Sequence, residues 1–285
     1  MNLTSLESKT KMMPRTILAA IKPVPGQENL ITSITSLAQR HHLSIEGISI
    51  IDPAQLAPPE SVSLGGESFK IECDRQAIAS GRTIAADLLN QLSEAAMVKD
   101  VESSVHVEEG TILERLSCAA QGAELLVCGG SRQANFLERS LLDAIIKSSP
   151  RPVLVMPPEH MAEERVLIAY DGSRQAARAL ASFVASGLWQ NRTIHLVAID
   201  NDTCQLAEHI KSAATYLHRH GIPYELQVRK HSRDIGQDLL NEIRRLSAGM
   251  VVMGAFGTNA VREFFLGSVT RTLLKTLSVP LFLDH

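Results

Sequence analysis

Short apolar runs of strand length alternate along this chain with longer segments whose apolar residues recur at helical spacing. In the second half the runs 165–170, 192–199, 224–228, 250–253 and 279–283 have strand character. Between them the pattern predicts helices over 173–186, 204–220, 232–246 and 268–277, the first of which starts on the good N-cap Ser173. Apolar strands that alternate with helices favour a parallel sheet covered on both faces.

The two halves of the chain carry the same succession of apolar runs. Segment 15–20 corresponds to 165–170, segment 123–129 to 248–254, and segment 151–156 to 279–283. This internal repeat predicts two tandem α/β units, each an open parallel five-stranded sandwich of Rossmann-like type. The predicted domains are 14–157 and 164–285, and the Pro-led polar segment between them serves as the linker.

One segment of the first half departs from the common plan. After the second predicted strand, residues 52–66 contain three prolines and end on a Gly-Gly pair, which predicts a long irregular loop. Loops of this length in compact domains are functional or plain insertions. The sequence leaves a lid and a surface insertion as equal alternatives.

Composition narrows the function classes. The chain is 45% hydrophobic and 21% charged, with a formal net charge of −3, which disfavours a nucleic-acid binder that relies on a broad basic surface. No run approaches the roughly 20 apolar residues of a membrane span, and residues 1–13 lack the apolar core of a signal peptide. We therefore expect a cytoplasmic protein that does not bind membranes or nucleic acid.

Cysteine and histidine residues give no sign of a metal or disulfide site. Four cysteines stand far apart, and Cys128 in its apolar run is expected to be a core residue. The histidines at 41, 42, 218 and 220 lie near predicted helix ends, where we expect surface residues favoured by the helix dipole. No metal ligands are predicted.

The segment with the clearest chemical signal follows the strand 250–253 and leads into the last helix. Gly254 and Gly257 lack a Cβ, so the backbone can turn sharply and a ribose-phosphate can approach it. Gly267 and Ser268 open the helix, whose first amides have no intrahelical partners and face any bound anion. The hydroxyls of Ser268 and Thr270 can add hydrogen bonds to phosphate.

Asp171 is the second candidate, because it follows the strand 165–170 directly. In an open parallel sheet, ligands bind beyond the carboxyl ends of the strands where the connection order reverses. If the first and fourth strands flank that point, Asp171 faces Gly254 and can accept hydrogen bonds from an adenine amino group or a ribose hydroxyl. The alternative, that Asp171 only caps the helix at Ser173, stays open, and the two roles are compatible.

These residues resemble the ATP-binding subgroup of the universal stress proteins. That family's G-x2-G-x9-G-[ST] signature is matched by Gly254, Gly257, Gly267 and Ser268, and its Asp-Gly-Ser start by Asp171 to Ser173. The resemblance implies an adenine nucleotide alpha hydrolase-like fold and ATP as the bound cofactor, with Mg²⁺ or Mn²⁺ left open. It also implies a backbone contact from Ala198 to adenine, and Met253 and Val269 border the motif as expected lining residues.

The first half is similar in architecture but departs at the site. Ile21-Lys22-Pro23 stands where the Asp is expected, and Arg139 stands where Gly267 has its counterpart, beside Glu138 and Ser140. These side chains would fill the space that a phosphate needs, so no family-type ATP site is predicted there. Gly129-Gly130 is then a turn, and Arg139 starts a solvated or ion-paired helix.

The resemblance implies a tandem stress-response regulator or sensor that binds ATP in its second half. Slow hydrolysis is left open, although no residue is positioned as a general base and no catalytic residue is predicted. The alternatives are a scaffold without ligand binding and a related nucleotide hydrolase, which the missing SGGxDS-type loop disfavours. We also expect the halves to pair through 152–156 and 280–283 as an intrachain pseudo-dimer, which two chains could extend to a homodimer.

Overall fold

The computed structural model describes residues 15–59, 66–130, 136–158, 164–199, 203–230, 234–255, 268–276 and 278–285. For residues 136, 137, 203–207, 209 and 268 it describes the backbone only. All structural statements below refer to these ranges. The predicted linker, most of loop 52–66 beyond residue 59 and the centre of the glycine motif lie outside them.

The first half begins on a buried strand and alternates strands with helices. Its elements are, in chain order, β1 (Thr16–Ala20), α1 (Glu28–His41), β2 (Ser44–Ile51), α2 (Pro53–Leu56), α3 (Glu67–Val98), β3 (Ser103–Glu109), α4 (Ile112–Ala120), β4 (Leu125–Gly129), α5 (Phe136–Ser148) and β5 (Val153–Met156).

The second half follows the same alternation, and its described residues contain no counterpart of α2. Its elements are β6 (Arg165–Ala169), α6 (Arg174–Ser186), β7 (Thr193–Ile199), α7 (Thr203–Arg219), β8 (Tyr224–Arg229), α8 (Ile235–Leu246), β9 (Met250–Gly254), α9 (Ser268–Lys275) and β10 (Leu281–Asp284). The strands predicted from the apolar runs are all present, with ends that shift by at most a few residues.

The described strands form one sheet in the order β3-β2-β1-β4-β5-β10-β9-β6-β7-β8. All neighbours are parallel except β5 and β10, which pair antiparallel with Leu281 opposite Val155 and Leu283 opposite Val153. Within each half the order is therefore third, second, first, fourth and fifth strand. The connection order reverses between β1 and β4 and again between β6 and β9. The predicted α/β class with a mostly parallel sheet is confirmed.

Helices cover both faces of the sheet and bury two apolar layers. One layer contains side chains from α1, α3, α6 and α7, and the other contains side chains from α4, α5, α8 and α9. The first layer includes residues of both halves, with Leu154 of β5 opposite Phe282 of β10. Within the second half, Phe282 meets Phe183 of α6 edge to face with ring centroids 5.6 Å apart. Cys128 is buried in the second layer as expected, and burial raises the pKa of its thiol to about 12.

Two predictions about the first half are wrong. Residues 53–56, expected to be part of an irregular loop, form α2, because Pro53 suits the first helical turn and Asp52 accepts a hydrogen bond from the Ala54 amide at 3.1 Å. His41, expected at the surface, is only 4% exposed. The last turn of α1 lies against the junction of the two halves, which the sequence pattern around His41 does not reveal.

Candidate functional site

The carboxyl ends of β6 and β9 form the candidate site in the second half. The two strands are direct neighbours, with Val166 opposite Met250 and Ile168 opposite Val252. Because this is the point where the connection order reverses, the chain leaves β6 toward one face of the sheet and reaches β9 from the other. The ends of these strands therefore border a crevice, as the sequence predicted under the condition that they are neighbours.

Asp171 lies at the β6 end of this crevice and is exposed. Its carboxylate oxygen Oδ1 accepts a hydrogen bond from the Ser173 amide at 2.9 Å. The Ser173 hydroxyl in turn accepts from the Ala176 amide at 3.1 Å, so Ser173 is the N-cap of α6. Between them Gly172 has a φ of +78°, which a side chain would strain. Asp171 thus shapes the turn into α6, and this role is compatible with a second one toward a ligand.

Gly254 at the end of β9 is packed against the first turn of α6. A Cβ at this position would lie 2.5 Å from both the Ala176 nitrogen and the Gln175 carbonyl carbon. The position therefore needs glycine for helix-to-strand packing, whereas the sequence suggested only a sharp turn and the approach of a ribose-phosphate. Both the start of α6 and the end of β9 are held at the crevice by this contact.

The amide side chain of Gln175 is a candidate that the sequence analysis missed. Its Oε1 atom is buried and has no hydrogen-bond partner in the structure. A buried amide oxygen without a partner costs free energy that a donor from a bound molecule would recover. Only the fold reveals this position, because it depends on the contact of α6 with Gly254.

The remaining predicted residues are distributed around the strand ends. Ala198 of β7 and Met253 of β9 are buried and pack into opposite apolar layers of the sheet. Val269 in the first turn of α9 packs against the layer of Met253, and Thr270 is buried. Ser268 is the first residue of α9, described by its backbone. Gly257 and Gly267 lie outside the described residues.

The start of α9 provides backbone donors for an anion. Because the first four amides of an α-helix have no intrahelical acceptor, they can bind phosphate oxygens, and the helix dipole favours negative charge there. The residues present therefore fit a nucleotide in three respects: a carboxylate at the end of β6, an unpartnered amide oxygen at the start of α6, and free helix amides at the start of α9. Among the described residues no group of three or more potential metal ligands is found.

The corresponding place in the first half has different electrostatics. Lys22 follows β1, and its ammonium lies 3.8 Å from the carboxylate of Glu138 in the first turn of α5. Both side chains are close to half exposed, so this ion pair contributes little to stability. It nevertheless places two charged side chains at the end of β1 and the start of α5. These positions correspond to the ones where a nucleotide would lie in the second half. That Arg139 and its neighbour Glu138 fill the space a phosphate needs stays a prediction.

Comparison with known proteins finds a family match in the second half. Residues 163–284 match the universal stress protein family. A curated relative, Universal stress protein Slr1230 from Synechocystis, is 26% identical over 141 residues, which are 49% of this chain and 48% of that protein. The matched residues thus cover about half the length of the Synechocystis protein.

Solved structures resemble the whole chain. A universal stress protein from Archaeoglobus fulgidus superposes with a TM-score of 0.71 at 16% identity, covering 95% of this chain and 96% of that one. A putative universal stress protein from Pseudomonas aeruginosa gives a TM-score of 0.60 at 15% identity, covering 95% and 93%. At these identities the likeness shows that the fold is shared along both halves. In the described part of the chain, no helix has both the length and the apolar character needed to cross a membrane.

Proposed function

We propose that this chain is a tandem universal stress protein that binds ATP in its second half and acts as a stress-response regulator. The tandem organisation is supported by the identical strand order of the two halves and by the family match of the second. The nucleotide is supported by the signature Gly254, Gly257, Gly267 and Ser268. ATP would lie in the crevice between β6 and β9.

One observation carries the proposal: β6 and β9 are neighbours, so the Asp171 turn and the strand that leads into the glycine motif meet at one crevice. Asp171 would accept hydrogen bonds from the base or ribose, and the amides at the start of α9 would bind the phosphates. Bound ATP would add negative charge to the crevice and fill its volume. The occupied and the empty protein would therefore present different surfaces to a partner protein. The described site has no residue placed to activate water, so regulation is favoured over rapid hydrolysis.

Nucleotide binding to the purified, nucleotide-stripped chain tests this function. We expect Mg-ATP at a hundred times its Kd to stabilise the wild type by about 2.7 kcal/mol. The variant Gly267→Val should lose that stabilisation, because the side chain would occupy the phosphate position. Lys22→Ala, at the counterpart of Asp171 in the first half, is the matched control and should bind ATP as the wild type does.

The competing scaffold function makes the opposite prediction. A scaffold would show no stabilisation by ATP, ADP or AMP in the wild type, and no nucleotide would remain bound through purification. That result would exclude the ATP proposal. The second half would then lack a nucleotide site, as is predicted for the first half.

A further inference from the structure

A cationic cluster of three arginines around a neutral histidine lies at the junction of the two halves, away from the crevice between β6 and β9. It consists of Arg15 before β1, Arg40 and His41 at the end of α1, and Arg192 before β7. Arg15 joins the halves directly: its Nη1 donates to the Ala185 carbonyl oxygen at 2.8 Å, at the carboxyl end of α6. Its guanidinium also lies over Gly187, where a Cβ would come within 2.5 Å of Nη2.

The buried members of this cluster have polar atoms that nothing in the structure satisfies. Both ring nitrogens of His41 are buried without a hydrogen-bond partner, and so is Nε of Arg192. Among the residues that the structure describes, the Arg192 guanidinium has a hydrogen bond to the thioether sulfur of Met250 at 3.5 Å, and thioether sulfur is a weak acceptor. Such orphaned donors are rare in native proteins and point to a missing partner.

No acidic side chain balances the charge of this cluster. Within the ranges that the structure describes, none of the three arginines contacts a carboxylate. Burial, followed by the charge of Arg40, lowers the pKa of Arg192 to about 10. Burial, followed by Arg192, Arg40, Arg15 and His42, lowers the pKa of His41 to about 4. An unpaired buried charge is costly, and a bound anion would remove that cost.

We propose that Arg40, His41 and Arg192, with Arg15 behind them, form a binding site for a phosphate group at the junction of the halves. Guanidinium groups present forked donors that match phosphate oxygens, and two of the arginines belong to the first half and one to the second. Arg40 is exposed and Arg192 is partly so, which leaves a route from solvent to the buried Nε. A phosphate bound here would hold the two halves together.

Thermal unfolding of the full-length chain in chloride buffer at constant ionic strength tests the site. Inorganic phosphate should raise the Tm of the wild type until the effect saturates. The surface variant Arg40→Gln should raise the apparent Kd for phosphate by about tenfold or more, because one charge-assisted hydrogen bond is lost. In Arg192→Met the phosphate effect should disappear, and its Tm without phosphate should equal or exceed that of the wild type.

Two further measurements test whether the bound phosphate belongs to a nucleoside and whether the effect is specific to the arginines of this cluster. AMP, tested in a Gly267→Val background so that the nucleotide crevice is not involved, distinguishes a phosphate carried by a nucleoside from the free ion. Arg244→Met, an exposed arginine at the end of α8, should respond to phosphate as the wild type does. The proposal is overturned if phosphate does not change the Tm of the wild type and AMP does not change the Tm of Gly267→Val. It is also overturned if Arg40→Gln and Arg192→Met respond to phosphate as strongly as the wild type.

Discussion

Gly254 at the end of β9 and Gln175 at the start of α6 approach so closely that a Cβ on Gly254 would lie 2.7 Å from the Cβ of Gln175. The same missing atom would also meet the helix backbone at 2.5 Å. This backbone contact therefore fixes the first turn of α6 relative to the end of β9. The same contact sets the width of the crevice between β6 and β9.

Gly254→Ala should therefore destabilise the fold even without nucleotide. Because backbone atoms and not a flexible side chain oppose the new methyl group, we expect a cost of about 1–3 kcal/mol. That corresponds to a decrease in Tm of about 2–4 °C for each kcal/mol. Gly129→Ala is the matched control at the end of β4, since its Cβ would approach flexible side chains, nearest that of Leu30 at 3.1 Å, and no backbone atom closely. Equal Tm values for the two variants would contradict this packing role.

A comparison of Asp171→Asn with Asp171→Ala should distinguish the structural role of Asp171 from its role in ligand binding. Asp171→Asn keeps an oxygen for the Ser173 amide but removes the charge and the second acceptor, so its Tm should stay near that of the wild type. Asp171→Ala loses the hydrogen bond too, at about 0.5–1.5 kcal/mol. Both variants should bind ATP about tenfold more weakly or worse in calorimetric titrations. Wild-type affinity in Asp171→Asn would show that Asp171 only shapes the turn.

His41 should make the stability of the chain depend on pH in the mildly acidic range. Its folded pKa of about 4 lies below the unfolded value of 6.5, so the unfolded chain binds the extra proton first. The stabilisation is fully present above pH 6.5 and is lost as the pH falls toward 4, by up to about 3 kcal/mol. Carboxylates titrate in the same range, so the measurement is the difference in Tm between wild type and His41→Leu from pH 7 to pH 4 in phosphate-free buffer.

The variant should change less steeply with pH than the wild type. His42→Gln, one residue further on and exposed, serves as the control and should keep the wild-type slope. Parallel curves for wild type and His41→Leu would mean that His41 is solvated in solution and would also weaken the case for the cationic cluster.

Glu242 of α8 should be a stabilising carboxylate at the outer side of the second half. Arg229 of β8 donates to it at 3.0 Å, and Arg245 donates at 2.9 and 2.7 Å. Although burial opposes its ionisation, hydrogen bonds from the two arginines hold its pKa below the usual value. Its contribution is therefore present above about pH 4.5 and is lost as the pH falls further.

Replacing Glu242 by Gln should cost about 1–3 kcal/mol at pH 7, because two guanidinium groups lose a charged acceptor. The comparison is Glu225→Gln on β8, whose side chain is 61% exposed and lies 3.3 Å from the His195 ring. That exposed pair should contribute at most about 1 kcal/mol. Urea midpoints of the two variants provide the measurement, and a larger loss for Glu225→Gln would contradict the assignment.

The elements of this fold could be predicted from sequence where the determinants are local. Ser173 and Gly187 lie at the ends of α6 as N-cap and left-handed C-cap, and the apolar runs located the five strands of the second half to within a few residues. The place of the crevice between β6 and β9 also followed, because the end of a parallel strand is defined by the chain itself and the neighbour relation of β6 and β9 is common to such sheets. That a nucleotide binds there stays a prediction.

What the sequence did not reveal depends on contacts between distant residues. The burial of His41 arises because the end of α1 lies at the junction of the halves near Arg15 and Arg192, and nothing in the residues around position 41 encodes that arrangement. The requirement for glycine at 254 arises from α6, some eighty positions earlier in the chain. The short helix α2 was missed because three prolines suggested irregular structure, although the first of them suits a helical start.

The antiparallel junction between β5 and β10 has a consequence for how the chain is made. During synthesis, Val153–Met156 can join the sheet of the first half long before Leu281–Asp284 leaves the ribosome. At typical elongation rates the outer side of β5 waits on the order of ten seconds for its partner, with four apolar side chains beside an open backbone edge. The nascent chain is thus most vulnerable to misassociation when its first half is finished and its second is not. The edge of β5 is covered only when β10 pairs with it.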